Sequence, residues 1–291
     1  MEKRLIWPIE ASQTDHDKDF NWNQAGSNIC LDFHGNPSTA KLVVFSDGNH
    51  HMALEACCQT FLERNPEVDD IFYATTPPGV ILQSVIQGGL TLGNLRLNVM
   101  PHVFISPINI LEKLVKNKFM NEHRAFAKSK GNVLLVKKGN PKNIQNISDL
   151  LRDDVTLTLS NPNTELASYE VYTQAILKNA TQNNLDTNAF EQLVHKDSNA
   201  VVFGESIHHR EVPQTIFAEQ ADVAVVYNHL ALRYTRIFPD TFEFIPFDST
   251  VLTHYHIGLM NTPGDWGKQF VEFILSDTAI DIYKQHGLTN I

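Results

Sequence analysis

The C-terminal part of the chain is the most informative about its fold. It reads YHIGLMNTP over residues 255–263 and WGKQFVEFILSDTAIDIYKQHGL over residues 266–288. The first run is a short apolar strand. In the second run, apolar residues recur at helical spacing on both sides of Ser276-Asp277, which predicts two helices with a polar cap between them. This ending closes an α/β unit that begins earlier in the chain.

Two series of predicted strands and helices precede this ending. The first contains buried strands over residues 41–45, 71–74 and 102–106, with helices over 51–65 and 80–86. The second contains strands over 133–137, 155–160, 200–203 and 223–227, with helices over 165–179 and 212–220. Alternating strands and helices indicate an α/β fold with mixed, mainly parallel sheets flanked by helices. We therefore predict an N-terminal extension over 1–40, one lobe over 41–127 and 249–291, and a second lobe over 128–248.

Composition limits the classes of function. The chain has 291 residues, 42% hydrophobic and 19% charged, and a net charge of −10 with histidine neutral. This acidic balance argues against a nucleic-acid partner. The first residues, MEKRLIWP, lack the apolar core of a secretory signal. We expect a cytoplasmic protein as the sequence stands, or a periplasmic or extracellular one if a leader has been removed, and free buried thiols at all three cysteines.

Several segments together resemble the type 2 periplasmic solute-binding proteins, most closely those that bind molybdate and tungstate. They are FSDGN over 45–49, HVFIS over 102–106, VLLVKKGNP over 133–141 and AEQADVAVVY over 218–227. Their order and spacing resemble the family from about residue 41 to residue 288. The resemblance implies a two-lobed clamp that closes on a small ligand in a cleft between the lobes. It also implies an ABC-transporter membrane component as partner, a monomer, no cofactor and no catalytic activity.

The loops at which the family binds its ligand differ in this chain. Asn49 replaces a serine, TTPPG over 75–79 replaces a serine-rich loop, and LAS over 166–168 replaces Pro-Ala-Gly. In the family a tyrosine at the position of Tyr227 donates its hydroxyl to the oxyanion, and a backbone N–H near the position of His209 does the same. The ligand-binding residues predicted here are Gly48, Asn49, His50, Thr75, Thr76, Ala167, Ser168, His209, Arg210 and Tyr227.

These residue types suit an inorganic oxyanion. Hydroxyls, small residues and N–H groups at helix starts can surround a doubly charged anion without a formal cation. The guanidinium of Arg210 could donate two parallel hydrogen bonds to a phosphate-like or carboxylate ligand. Structural roles are equally compatible with the pattern: Asn49 as the N-cap of a helix that begins at residue 50, Tyr227 as a packing residue, and Arg210 in a polar turn before Pro213.

Two other classes stay open from the sequence. The chain has 13 histidines, and His50, His208, His209 and His229 are the alternative ligand set for a metal ion, with an oxygen from Asp47 or Glu205. The other alternative is an intracellular ligand sensor or enzyme on the same fold. Serines end three predicted strands, but none lies in the Gly-x-Ser-x-Gly motif of a hydrolase. These strand-end serines are Ser46, Ser106 and Ser160.

Overall fold

The computed structural model describes residues 32–92, 95–195, 197–205, 207–248 and 251–291. The described residues divide into two compact units, one from Ser129 to Thr253 and the other made of residues 32–128 with His254–Ile291. None of the helices in the described ranges combines the length and the apolar content that a membrane span requires.

One unit is made of two separate segments of the chain and is called here the discontinuous unit. It is built on a six-stranded sheet in the order β1-β3-β2-β6-β13-β7. Its strands and those of its hairpin are β1 Phe33–His34, β2 Leu42–Ser46, β3 Ile71–Ala74, β4 Leu90–Leu92, β5 Leu95–Leu97, β6 Val103–Pro107, β7 Met120–Lys128 and β13 His254–Met260. Its helices are α1 His51–Arg64, α2 Pro78–Gln87, α3 Ile108–Lys116, α8 Gly267–Ile274 and α9 Asp277–Gln285.

The other unit, called here the continuous unit, has a five-stranded sheet in the order β10-β9-β11-β8-β12. Its strands are β8 Asn132–Lys137, β9 Leu157–Leu159, β10 Val201–Phe203, β11 Val223–Tyr227 and β12 Phe242–Pro246. Its helices are α4 Leu166–Gln182, α5 Thr187–Leu193, α6 His208–Phe217 and α7 Asn228–Ile237.

The predicted α/β class is confirmed, and each sheet is mixed. Parallel pairs join β2 to β3 and β6, and join β9 to β10 and β11. The remaining pairs are antiparallel, so the parallel share is smaller than the apolar runs predict. The reason is that β13 and β8 each run antiparallel to both of their neighbours in the sheet.

Apolar side chains on both faces of the strands fix each sheet between helices. All five residues of β2 and of β11 are buried, as expected for strands that are covered on both faces. In the discontinuous unit, one core packs against α1, α8 and α9, and a second packs against α2 and α3. Gly88 ends α2 in the left-handed conformation, with φ 76°, which a residue without a Cβ adopts at little cost.

Two predictions about elements need correction. Within the predicted N-terminal extension, β1 pairs with β3 as an edge strand, while residues 1–31 lie outside the described part. The elements α3, β7, α5 and α7 were not predicted. The predicted helix over 212–220 begins four residues earlier, at His208, so that Pro213 lies inside α6.

Pro213 is tolerated there because a side chain replaces the hydrogen bond that it removes. Proline has no N–H to donate to the carbonyl four residues earlier, which belongs to His209. The hydroxyl of Tyr234, in α7, donates to that carbonyl oxygen at 3.0 Å. This bond therefore holds the first turn of α6 against α7.

Candidate functional site

The loop after β2 is a tight, buried turn. Gly48, Asn49 and His50 form a single 3-10 turn, and α1 begins at His51, so Asn49 is not the N-cap of that helix. The carboxylate of Asp47 accepts the Asn49 N–H at 2.6 Å. The side-chain Oδ1 of Asn49 is buried and has no hydrogen-bond partner among the described residues. The amide side chain of Asn49, rather than its backbone, is thus the group available to a ligand.

His50 is engaged within the discontinuous unit. Its Nδ1 lies 3.0 Å from the Tyr283 hydroxyl and its Nε2 lies 3.2 Å from the Ser46 hydroxyl. The side chain is fully buried, and it packs against the ring of Tyr255 at a centroid distance of 4.7 Å. His50 therefore ties the loop after β2 to the C-terminal helix α9, which is a positioning role.

The loop after β3 contains two adjacent threonines, which differ in the hydrogen-bond partners of their hydroxyls. The Thr75 hydroxyl lies 3.2 Å from Asp32 Oδ1 and 3.2 Å from His34 Nε2, so it links β3 to the chain segment of β1. Thr76 is fully buried, and its hydroxyl has no partner in the described ranges. The same holds for Ser106 near the end of β6, the next parallel strand of the sheet.

The continuous unit repeats this arrangement after β9. Ser160 is fully buried, and its Oγ has no hydrogen-bond partner in the part of the chain that the structure describes. The predicted residues Ala167 and Ser168 lie in the first turn of α4, where Ser168 is buried and Ala167 is partly exposed. Ser160 was not among the predicted ligand residues, although its position directly after a buried strand is a usable signal.

The first turn of α6 holds three buried polar residues, His208, His209 and Arg210, each at most 2% exposed. The carboxylate of Glu165 accepts the His208 backbone N–H at 2.7 Å and lies 2.8 Å from His208 Nδ1. The other ring nitrogen of His208 lies 3.0 Å from the Tyr172 hydroxyl. A carboxylate of the protein itself thus occupies the start of α6, where the helix dipole favours negative charge.

Tyr227 and His229 stack at the junction of β11 and α7, with ring centroids 5.0 Å apart. The Tyr227 hydroxyl lies 3.0 Å from the hydroxyl of Thr253, and either group can be the donor. Thr253 in turn exchanges two hydrogen bonds with Ser129, each at 2.9 Å. The hydroxyl predicted to bind an oxyanion therefore contacts Thr253, at one end of the continuous unit, and Thr253 is bonded in turn to Ser129 at the other end.

Buried formal charges differ between the two units. In the described part of the continuous unit, Arg210, Arg233 and Glu165 are the charged residues that are at most 5% exposed. Burial lowers the pKa of Arg233 to about 9, because the charged guanidinium loses hydration. In the discontinuous unit the corresponding groups are Asp32 and Asp47. Arg233 was not among the predicted residues.

The alternative metal site is not formed. Within the described residues, no group of three or more His, Cys, Asp or Glu side chains is placed to hold a metal ion. His50 lies in the discontinuous unit and has partners at both ring nitrogens, whereas His208, His209 and His229 lie in the continuous unit. The predicted set of four histidines therefore has no geometry that suits a metal.

Comparisons with known proteins agree with this fold. A family model described as bacterial extracellular solute-binding protein matches residues 42–289. No curated protein matches the chain in sequence. Similar solved structures include the sulfate-binding protein SubI from Mycobacterium tuberculosis H37Rv, with 14% identity over 86% of each chain and a TM-score of 0.66. At this identity the likeness is one of fold alone.

Two further similar structures have different names and ligands. The periplasmic molybdate-binding protein of Azotobacter vinelandii is 17% identical over 85% of this chain and 98% of that chain, with a TM-score of 0.60. The ferric binding protein from Campylobacter jejuni is 16% identical over 84% of each chain, with a TM-score of 0.55. The three proteins share a fold with this chain, but the ligands in their names include both anions and a metal ion.

Proposed function

This chain belongs to the bacterial extracellular solute-binding protein family, and we propose that it binds a small inorganic oxyanion of the molybdate, tungstate or sulfate type. In this proposal it acts outside the cytoplasmic membrane and delivers the anion to the membrane component of an ABC transporter. It carries out no catalytic step. The predicted location of the ligand between two lobes stays a prediction.

The observation that carries the proposal is a set of buried polar side chains at the ends of parallel strands. Thr76 and Ser160 are fully buried, Asn49 is 4% exposed, and their polar atoms lack partners within the described ranges. Leaving such a group unpaired costs about 1–3 kcal/mol, so each one calls for a ligand or an ordered water. The Thr76 and Ser160 hydroxyls are neutral donors of the kind that a dehydrated oxyanion needs, whereas Asn49 Oδ1 is an acceptor and this side chain can donate to an anion only through its Nδ2.

The buried charge of the continuous unit supports an anion in preference to a cation, whereas the discontinuous unit buries the carboxylates of Asp32 and Asp47. Two guanidiniums and one carboxylate are buried in the described part of the continuous unit, which leaves one formal positive charge in excess. The backbone N–H groups of Asn49 and His208 already bond to carboxylates of the protein. We therefore assign the role of donors to the side chains, and this differs from the backbone donors that the resemblance implies.

The first experiment identifies the ligand. The full chain is titrated with molybdate, tungstate, sulfate and phosphate in parallel with Fe³⁺, Zn²⁺ and Ni²⁺ while the melting temperature is followed. An anion present at about 100 times its dissociation constant stabilises the protein by about 2.7 kcal/mol. Stabilisation by at least one oxyanion is expected. Stabilisation by Fe³⁺ alone, with none from any oxyanion, would overturn the oxyanion proposal.

The second experiment compares the two adjacent threonines. Thr76→Val removes a hydroxyl without a partner in the described residues, so the unliganded protein keeps or gains stability while the anion binds about tenfold to a hundredfold more weakly. Thr75→Val is the matched control. It removes a hydroxyl that contacts Asp32 and His34, so it lowers the free energy of unfolding and leaves the affinity nearly unchanged.

Ser160→Ala applies the same test to the continuous unit, and the expected pattern is that of Thr76→Val. Ser198→Ala is its control, because the Ser198 hydroxyl accepts the Ala200 N–H in an exposed turn. Affinity is measured by calorimetry with the anion that stabilises the wild type. Unchanged affinity in both Thr76→Val and Ser160→Ala would remove these hydroxyls from the site.

A further inference from the structure

A pair of histidines lies on the sheet of the discontinuous unit, apart from the residues discussed so far. His123 is in β7, an edge strand, and His256 is in the neighbouring strand β13. Their Nδ1 atoms are 2.9 Å apart, and their rings meet nearly edge to face at a centroid distance of 4.9 Å. Neither residue is among the predicted metal ligands.

The strand register places both side chains on one face of the sheet. His256 pairs with Ala125, which lies two residues from His123, so the two histidines are diagonal neighbours. A register shift between Tyr255 and His256 accompanies the pair, and such bulges re-aim side chains. Helix α3 packs against both strands, and its Glu112 lies close enough to interact electrostatically with His256.

The pair is accessible to solutes. His123 and His256 are partly exposed, and His123 lines two surface depressions, one of them shared with Glu112. His254, at the start of β13, is exposed and also interacts electrostatically with His256. The neighbourhood thus supplies two imidazoles in contact, with a third imidazole and a carboxylate nearby.

We propose that His123 and His256 bind one divalent transition-metal ion, Ni²⁺ or Cu²⁺, through their Nδ1 atoms, with water completing the coordination. Two nitrogen ligands at bond lengths of about 2.0–2.1 Å lie about 2.9 Å apart when they are at right angles, and about 3.3 Å apart in a tetrahedral site. The two Nδ1 atoms share a hydrogen bond at 2.9 Å. The ion would replace this bond, with the nitrogens at the separation that the right angle of Ni²⁺ or Cu²⁺ requires. This site has two protein ligands, so it agrees with the finding that no group of three is placed for a metal within the described residues.

The experiment uses the full chain without a histidine tag. Calorimetric titration with NiCl₂ and CuCl₂ is expected to show one saturable site per chain. His123→Ala and His256→Ala are each expected to weaken binding by at least about tenfold. His195→Ala is the control, because His195 is an exposed histidine of the continuous unit with a 61% exposed side chain.

Two results would overturn the proposal. One comes from the titrations: either the wild type binds neither ion, or both histidine variants bind the ion as tightly as the wild type does. The other comes from electron paramagnetic resonance of the Cu²⁺-loaded wild type, which needs no variant to fold: two imidazole nitrogens on the copper are expected, and a spectrum with fewer contradicts the site. Failure of the oxyanion experiments has no bearing on either result.

Discussion

The bond between Tyr234 and the His209 carbonyl permits a quantitative test of how the first turn of α6 is held. Tyr234 is fully buried, and its hydroxyl donates to the carbonyl oxygen of His209, to which Pro213 has no N–H to donate. Tyr234→Phe keeps the ring and removes only the donor. The expected loss is about 1–3 kcal/mol of unfolding free energy, because a buried carbonyl then loses this hydrogen bond.

The cause is isolated by repeating the substitution in a Pro213→Ala background. Alanine restores the N–H at residue 213, which can donate to the His209 carbonyl as in an ordinary helix. In that background Tyr234→Phe should cost less than about 1 kcal/mol, because the carbonyl keeps a partner. The coupling between the two sites is therefore expected to be about 1–2 kcal/mol, whatever Pro213→Ala alone does to stability.

Urea unfolding of the four proteins, followed by circular dichroism, gives the coupling energy. Tyr169→Phe is the matched control, because the Tyr169 hydroxyl donates to the carbonyl of Val194 and has no connection with Pro213. Its cost should be the same in both backgrounds. If Tyr234→Phe costs the same with proline as with alanine at residue 213, the hydroxyl does not compensate for the proline and the reasoning fails.

Two further predictions concern the packing of His102 in the discontinuous unit. Gly264 has φ 58°, and a Cβ there would lie 2.6 Å from the His102 ring. Gly264→Ala should therefore cost about 1–3 kcal/mol more than Gly139→Ala, where φ is 82° and no atom lies within 4 Å; equal costs in thermal unfolding would contradict the clash. Burial lowers the pKa of His102 below 6.5, against an opposing effect of Asp265. Because the folded pKa is the lower one, the unfolded chain binds more protons than the folded chain as the pH falls. The contribution of His102 to the free energy of unfolding is therefore fully present above the unfolded pKa and is lost as the pH falls through the folded pKa. Urea unfolding between about pH 7.5 and pH 5 should show a smaller loss in His102→Gln than in the wild type, and an equal loss would refute the assignment.

Strands that are buried on both faces were predictable from sequence. The apolar runs at residues 71–74 and 223–227 coincide with β3 and β11, and the resemblance to solute-binding proteins is confirmed by the family match. Strand β7 was missed because it lies at a sheet edge, where Asn121, Glu122 and Arg124 are exposed and interrupt any apolar run. Its pairing with β13, more than a hundred residues later, is invisible to a local pattern.

Site residues were less predictable, because a polar side chain acquires its role from distant partners. His50 follows a strand in a loop of the kind that binds ligands, yet its ring is held by Tyr283, a residue 233 positions away. Thr75 and Thr76 are adjacent and chemically identical. Only the first lies within reach of Asp32, 43 positions earlier. Nothing in the local sequence distinguishes the two hydroxyls.

The strand-end serines show when the role of a polar side chain can be predicted from the neighbouring sequence. Ser46, Ser106 and Ser160 each lie at or near the end of a buried strand, and all three are fully buried. The Ser46 hydroxyl is satisfied close by, since it donates to the Asp47 carbonyl and lies 3.2 Å from His50 Nε2. The other two have no such neighbour and no partner in the described part of the chain. A strand-end serine followed within four residues by its own acceptor is therefore explained by its loop, whereas one without an acceptor directs the search to a ligand.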